Sequence, residues 1–182
     1  MNVTNQIETK RLILRSTNQD DFEFILEIFE VNDIAENLKF FLKNKPEKDK
    51  KTLLRSIIAS NNTSGPMVAL IIINKESNNL IGICGLIPLE SSNEVECFYA
   101  LLPRYRGQGF AIESMKKLIE YAFTKLNLAK IIAFINPKSA SLWKVAERIG
   151  MKYMGQIQYN NITSMAMFFT IEKSEYEIQR FY

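Results

Sequence analysis

Three apolar runs in the middle of the chain, separated by short polar segments, constrain the fold more than any other feature. They read "MVALIIIN" (67–74), "NLIGICGLIPL" (79–89) and "EVECFYALL" (94–102). Runs of this length and β-branched content are typical of strands, and the intervening "KESNN" and "ESSN" are typical of hairpin turns. We therefore predict three consecutive antiparallel strands.

Three further elements are predicted before these strands. The segment "TKRLILR" (9–15) alternates Leu12 and Leu14 with charged neighbours, which predicts an opening strand with one better-buried face. The segment "STNQDDFEFILEIFE" (16–30) places cap residues before apolar positions at helical spacing, so we expect an amphipathic helix. The charged run "KNKPEKDKKTLLRSII" (43–58) predicts a second helix that ends near Ser60.

The second half of the chain predicts a helix, a strand, another helix and a hairpin. The first helix is marked by an apolar stripe at Ile112, Met115, Leu118, Ile119, Ala122, Phe123 and Leu126. Then "KIIAFI" (130–135) predicts a buried strand, "SASLWKVAERIG" (139–150) a helix closed by Gly150, and 151–173 a hairpin turning at "YNN". This order predicts an α/β (α+β) fold with a mixed sheet, and 182 residues favour one domain over 1–182.

Composition restricts the chemistry of any active site. The sequence contains no His, which excludes Ser-His-Asp, Cys-His and His-ligated zinc mechanisms. A formal charge of +3 does not indicate a nucleic-acid partner, and no apolar run is long enough to span a membrane. Cys84 and Cys97 lack metal-site spacing and no secretory signal is recognisable, so we expect a cytoplasmic protein with reduced thiols and no metal.

The segment after the third strand, "RYRGQG" (104–109), is a candidate anion-binding loop. Its glycines, just before a helix, allow backbone N–H groups and the positive end of the helix dipole to approach a phosphate. A dinucleotide fingerprint requires a small residue where Ile112 stands, and a P-loop requires Lys and Ser/Thr where two apolar residues follow the last glycine. Neither motif fits. An ordinary tight turn remains the alternative.

These segments together resemble the GNAT superfamily of acyl-CoA-dependent N-acyltransferases. Residues 104–109 match its signature R/Q-x-x-G-x-G/A without gaps, and "ETKRLILR" (8–15) is similar to its opening strand. The stretch "VECFYALLPRYRGQGFAIESM" (95–115) resembles "vEiGYwl.p..wGkGyatEa" of the branch that acetylates ribosomal-protein N-termini. "AERIGMKYMG" (146–155) resembles the "aeKlGm...g" of the same branch. The likeness covers nearly the whole chain.

The resemblance implies a GNAT fold, in which two central parallel strands splay apart within a mostly antiparallel sheet flanked by helices. Acetyl-CoA would lie with its pantetheine between these strands and its pyrophosphate on the glycine loop. The implied coenzyme-binding residues are Tyr99, Ala100, Leu101, Arg104, Arg106, Gly107, Gln108, Gly109 and Ala111, with Ser139 as a further candidate. The cations Lys138 and Lys144 are possible phosphate contacts or merely exposed charges.

Glu96 is the expected catalytic carboxylate, because the resemblance places it on the acceptor side, where it can take a proton from the amine. The alternative is a strand residue that faces solvent. The branch's usual Asn and Ser before the last helix fall on Ser139 and Leu142, which leaves the general acid open. Ser141 and Tyr153 are the candidates, with helix capping and strand packing as their alternative roles.

The expected activity is transfer of an acetyl group from acetyl-CoA to a primary amine, with a protein N-terminus as the preferred acceptor. One alternative is a small-molecule acetyltransferase acting on an amino acid, polyamine or aminoglycoside. Another is a binding module that holds acetyl-CoA without turnover, because the family's Asn and Ser are missing. The protein is expected to be a monomer or a homodimer.

Overall fold

The structure is a computed structural model that describes residues 6–36, 55, 58, 67–89, 94–158 and 165–179. Its strands are β1 Gln6–Glu8, β2 Leu12–Ser16, β3 Val68–Asn74, β4 Leu80–Pro88, β5 Val95–Leu101, β6 Lys130–Ile135, β7 Lys152–Gln158 and β8 Met165–Glu172. Its helices are α1 Phe22–Glu30, α2 Phe110–Thr124, α3 Ala140–Arg148 and α4 Lys173–Gln179. The predicted helix ending near Ser60, apart from residues 55 and 58, and the turns at 90–93 and 159–161 lie outside the described residues.

The strands form one eight-stranded sheet in the order β1-β2-β3-β4-β5-β6-β8-β7. The three central apolar runs form the predicted antiparallel meander β3-β4-β5. Only β5 and β6 are parallel among the described strands, and their register contains the single pair Glu96↔Ile132. By contrast, β6 and β8 share six pairs. The mixed, mostly antiparallel sheet with splayed central parallel strands is therefore confirmed.

The opening strand differs from its prediction at one end. Thr9, Lys10 and Arg11 form a tight turn, in which the Thr9 N–H donates to the Leu12 carbonyl at 2.9 Å. The Leu12 N–H in turn donates to the Thr9 hydroxyl at 2.9 Å. The turn separates β2 from the short β1, which the sequence analysis did not identify. Leu12 and Leu14 are fully buried, as their alternation predicts.

The two faces of the sheet bury different elements. Ala69 and Ile71 of β3 pack with Ile25 and Ile28 of α1 on one face, which we call the α1 face. Alternate residues of the same strands pack with α2 and α3 on the opposite face, which we call the α3 face. No helix in the described part of the chain is long and apolar enough to cross a membrane.

The helix after the glycine loop ends two residues before its predicted stripe does. α2 ends at Thr124, so Leu126 packs on the core from outside the helix. The chain leaves the helix here because Asn127 adopts a left-handed conformation with φ +54°. The predicted closure of α3 by Gly150 is observed, with φ +93°.

Candidate active site

A cavity of about 650 Å³ lies where β5 and β6 separate. Its walls include Phe29 and Ile34 from the α1 face and Leu142 and Val145 from the α3 face. The cavity therefore connects the two faces of the sheet through the gap between the parallel strands. Ten of the predicted site residues line it: Glu96, Tyr99, Ala100, Leu101, Arg106, Gly107, Gly109, Ala111, Ser139 and Ser141.

The glycine loop presents the backbone of Gly107 and Gly109 to this cavity, beside Tyr105 and Arg106. Gly107 and Gly109 have φ values of +73° and +81°, which glycine adopts at little cost. A Cβ added to Gly107 would meet no atom within 4 Å, so the space in front of the loop is open. Gly109 stands at the N-terminus of α2, where free N–H groups and the helix dipole favour an anion. This geometry suits an anion such as a pyrophosphate.

The Arg106 guanidinium is held by hydrogen bonds to other residues of the protein and does not extend freely into solvent. Its Nε donates to the Leu101 carbonyl at 3.0 Å, and its two Nη atoms donate to the Asp33 carboxylate at 2.8 and 3.2 Å. Asp33 lies in the helical segment 32–36 after α1. The Arg106 guanidinium thus joins the glycine loop to the segment 32–36 on the cavity wall. This contact was not predicted from the sequence.

Arg104 and Gln108 lie outside the set of described residues that line the cavity. The Arg104 guanidinium stands 5.1 Å from the centre of the Tyr105 ring. The Gln108 side chain donates to the Arg104 carbonyl at 3.0 Å, and its own carbonyl accepts from Arg11 at 3.0 Å. Both residues therefore shape the loop, and Gly107 and Gly109 line the cavity.

Tyr99, Ala100 and Leu101 lie on the β5 edge that diverges from β6. Because the strands share one pair only, this edge is available for main-chain hydrogen bonds to pantetheine. Burial raises the pKa of the Tyr99 phenol, although the nearby Arg106 opposes the rise. The phenol therefore stays protonated at neutral pH and can donate a hydrogen bond inside the cavity.

Glu96 lies at the narrowest point of the gap, in the only register pair that joins β5 to β6. It shares a strand face with Phe98 and Ala100, which belong to the α1 face. The residue is 8% exposed and lines the cavity. The alternative role of Glu96, a strand residue that faces solvent, is therefore wrong. The position suits a carboxylate that accepts a proton.

The candidate general acids are placed very differently. Ser141 is an exposed residue of α3 on the cavity wall, and Ser139 is the N-cap residue of α3 without a side-chain capping bond. Tyr153 is 47% exposed on β7, with its ring 5.3 Å from Phe169, and it is outside the described cavity lining. The structure does not bring Tyr153 to Glu96, because β8 lies between β7 and β6.

Both cysteines are buried, and neither is an activated nucleophile. Cys84 is inaccessible, and Cys97 lines the cavity but is only 8% exposed. Burial, together with the adjacent Glu96, raises the pKa of the Cys97 thiol to about 12. Burial raises the pKa of Cys84 as well. Thiolates are the reactive form, so the thiols behave as small core residues.

A second group of residues, behind the glycine loop, escaped the sequence analysis. Glu113 in the first turn of α2 accepts from the Thr9 hydroxyl at 2.6 Å, the Arg11 N–H at 2.9 Å and the Arg11 Nε at 2.6 Å. Burial raises the pKa of Glu113, but the bonds from Thr9 and Arg11 outweigh it and hold the pKa below its usual value. The only sign of this group in the sequence is Glu113 itself, four residues after Gly109. An acidic residue is common in the first turn of any helix, so its position alone does not indicate a role behind the loop.

Comparison with known proteins identifies the family. Residues 11–152 match the acetyltransferase (GNAT) domain. The uncharacterized N-acetyltransferase p20 of Bacillus licheniformis is 27% identical over 153 residues, which cover 82% of this chain and 84% of p20. Among solved structures, a GNAT-family acetyltransferase from Bacillus anthracis aligns with a TM-score of 0.73 and 22% identity over 93% of this chain and 99% of its own.

A second similar structure is the spermidine N-acetyltransferase from Vibrio cholerae in complex with CoA and spermine. It aligns with a TM-score of 0.74 and 20% identity, over 93% of this chain and 99% of its own. The two structural likenesses show the fold. With the family match over most of the sequence, they establish that this chain belongs to the GNAT acetyltransferase family and is an acetyl-CoA-dependent N-acetyltransferase.

Proposed function

We propose that this enzyme acetylates a small primary amine that carries further positive charge, such as a polyamine. The observation that carries the proposal is the distribution of charge along the cavity. Glu36 and Glu96 line it on the α1 face, where Asp33 is already paired with Arg106, whereas Lys138, Lys144 and Arg148 line it on the α3 face. An anionic coenzyme at one end and a cationic acceptor at the other match these charges.

The chain's own residues support a direct transfer. Acetyl-CoA supplies the acetyl thioester. Glu96 accepts a proton from the acceptor ammonium, directly or through one water, and the free amine nitrogen then attacks the thioester carbonyl. As the C–S bond breaks, the attacking nitrogen loses its second proton and the leaving sulfur gains one. The Tyr99 phenol and the Ser141 hydroxyl line the cavity and can relay this proton from nitrogen to sulfur. The Glu96 carboxylate is held away from bulk water, which strengthens its interaction with a cation.

A protein N-terminal α-amine is the second candidate acceptor. It is favoured by the resemblance of 95–115 to the branch that acetylates ribosomal-protein N-termini. A peptide acceptor presents one ammonium followed by an extended chain, whereas a polyamine presents several charges within a few ångströms. The acidic wall favours the polyamine, and the spermine complex of the Vibrio cholerae relative supports the same class.

An acceptor panel separates the candidates. Release of free CoA thiol is measured with spermidine, an aminoglycoside, propylamine, and peptides that begin with Ser or Ala. We expect kcat/KM to be about 100-fold higher for spermidine than for propylamine, since each additional close ion pair contributes on the order of tenfold. Preference for a peptide, or equal rates with propylamine, would refute the cationic acceptor.

Variants of the acidic wall provide the matching test. Glu36→Gln is expected to raise the KM for spermidine about tenfold and to leave the KM for propylamine unchanged. Glu30→Gln is the control, because Glu30 is an exposed carboxylate of α1 outside the described cavity lining. An equal rise in KM for both amines would mean that Glu36 maintains the structure of the cavity and does not recognise the additional charge of spermidine.

A further inference from the structure

Arg11 contacts the glycine loop from the side away from the cavity. Its Nη1 donates to the Gln108 carbonyl at 3.0 Å, and its Cζ stands 4.5 Å from the centre of the Phe110 ring. Its Nε and backbone N–H both donate to Glu113. Arg11 itself is outside the described residues that line the cavity. One side chain from the turn before β2 thus contacts three residues of the loop and the first turn of α2: Gln108, Phe110 and Glu113.

The bond to the Gln108 carbonyl fixes the direction of the next N–H group. A trans peptide is planar, so the Gln108 carbonyl and the Gly109 N–H point in opposite directions. With the carbonyl turned toward Arg11, the Gly109 N–H is turned toward the cavity that Gly109 lines. The orientation of this peptide decides whether the loop offers a donor or an acceptor to an anion.

Glycine alone does not determine this orientation. Gly109 has φ +81°, but a residue without Cβ adopts negative φ about as readily. Rotation of the Gln108–Gly109 peptide would present the carbonyl oxygen to a phosphate, which is repulsive. The Arg11 bond favours one of the two orientations before any ligand arrives, and preorganisation of this kind raises affinity.

The charge of Arg11 is already compensated where it stands. Glu113 Oε2 lies 2.6 Å from Arg11 Nε, and Glu113 also accepts from the Thr9 hydroxyl and the Arg11 N–H. The Glu113 N–H donates to the Gly109 carbonyl at 3.0 Å, which ties the same carboxylate residue to the loop. Long-range attraction of phosphate by Arg11 is therefore weak, and its geometric effect dominates.

We infer that Arg11, anchored by Glu113, is a positioning residue that holds the Gln108–Gly109 peptide with its N–H toward the pyrophosphate of acetyl-CoA. Lys in its place would keep the charge but has no planar fork to reach Glu113 and the Gln108 carbonyl together. Arg11→Met and Arg11→Lys should therefore have similar effects, which distinguishes positioning from attraction.

The test measures the Kd of acetyl-CoA by calorimetry for the full-length protein and the unliganded melting temperature alongside. Arg11→Met and Arg11→Lys are each expected to raise Kd about 10- to 100-fold, the loss expected from one or two hydrogen bonds to a charged group. Lys10→Met is the control, because Lys10 is the adjacent exposed cation of the same turn and should change Kd less than about twofold.

A second ligand separates positioning from damage to the whole site. S-acetylpantetheine lacks the pyrophosphate, and its affinity, measured by competition at millimolar concentration, should be the same in the wild type and both variants. Equal losses for both ligands, an unchanged Kd for acetyl-CoA, or full affinity in Arg11→Lys would each overturn the inference. If the Arg11 variants do not fold, Glu113→Gln decides, since it should raise the acetyl-CoA Kd about tenfold and an unchanged value refutes the role.

Discussion

The two ends of the cavity are built in different ways. The proposed coenzyme end depends largely on the backbone of one contiguous loop, in which Gly107 and Gly109 adopt positive φ and a Cβ on Gly107 would meet no atom within 4 Å. The acceptor end is formed by side chains that come from α1, the segment 32–36, β5 and β6. A backbone site depends on few residue identities, whereas a side-chain site changes with each substitution. The common co-substrate and the variable acceptor of an enzyme family follow this division.

Gly109→Val should have the largest effect, because a β-branched residue is strained at φ +81° and the loop backbone would have to change conformation to relieve that strain. Saturating acetyl-CoA at about 100 times Kd should raise the wild-type melting temperature by about 5 to 10 °C, and the variant should show no shift. Gly155→Val is the control, since Gly155 has φ +111° on β7, outside the described cavity lining. A normal ligand shift in Gly109→Val would remove the coenzyme site from this loop.

Glu96→Gln tests the acceptor end. We expect kcat/KM to fall about 100-fold near neutral pH, the usual size of a general-base contribution, and to recover substantially at high pH where the free amine is abundant. The Kd of acetyl-CoA should not change. Glu94→Gln, which removes the partner of Lys130 two residues earlier on the same chain, is the matched control. Unaltered kinetics at every pH would mean that bulk water, and not Glu96, accepts the proton from the acceptor ammonium.

Glu113→Gln tests the support behind the coenzyme end through stability. The folded-state pKa of Glu113 is held low, so its stabilisation is complete above the ordinary carboxyl pKa of about 4.3 and is lost as pH falls through the folded value. The variant should melt about 2 to 4 °C below the wild type at pH 7, and this gap should close as pH falls below about 4. A gap that is constant with pH would contradict the ionic origin. Glu120→Gln, which alters a surface pair with Lys117, serves as control.

Treatment with a chelator should have the smallest effect. Direct attack of an amine on a thioester needs no metal, and the sequence has no His and two cysteines without metal-site spacing. Activity should be unchanged by EDTA. Reversible loss, restored by one divalent ion, would show that the acceptor end contains a cation site.

The difference between a site formed by one loop and a site formed by several elements also explains which features could be predicted from the sequence. Gly107 and Gly109 could be predicted from the sequence because a glycine loop before a helix consists of consecutive residues, although Arg104 and Gln108 lie outside the described cavity lining. Tyr153 could not be placed, because a hairpin prediction does not say which of its strands pairs with β6. The sheet inserts β8 there and leaves β7 at the edge. Arg11 was read as a strand residue, whereas it lies in the Thr9–Arg11 turn, and its contact with Gln108 joins positions 97 residues apart.

The burial of the cysteines has a practical consequence at the bench. Cys84 is inaccessible in the folded protein, Cys97 is exposed only slightly on the cavity wall, and the raised pKa values keep both thiols protonated. A chromogenic thiol reagent therefore reads released CoA in a continuous assay against little background from the enzyme itself. The same reagent, added without substrate, measures the rate of unfolding through Cys84, because this thiol reacts only when the surrounding strands open.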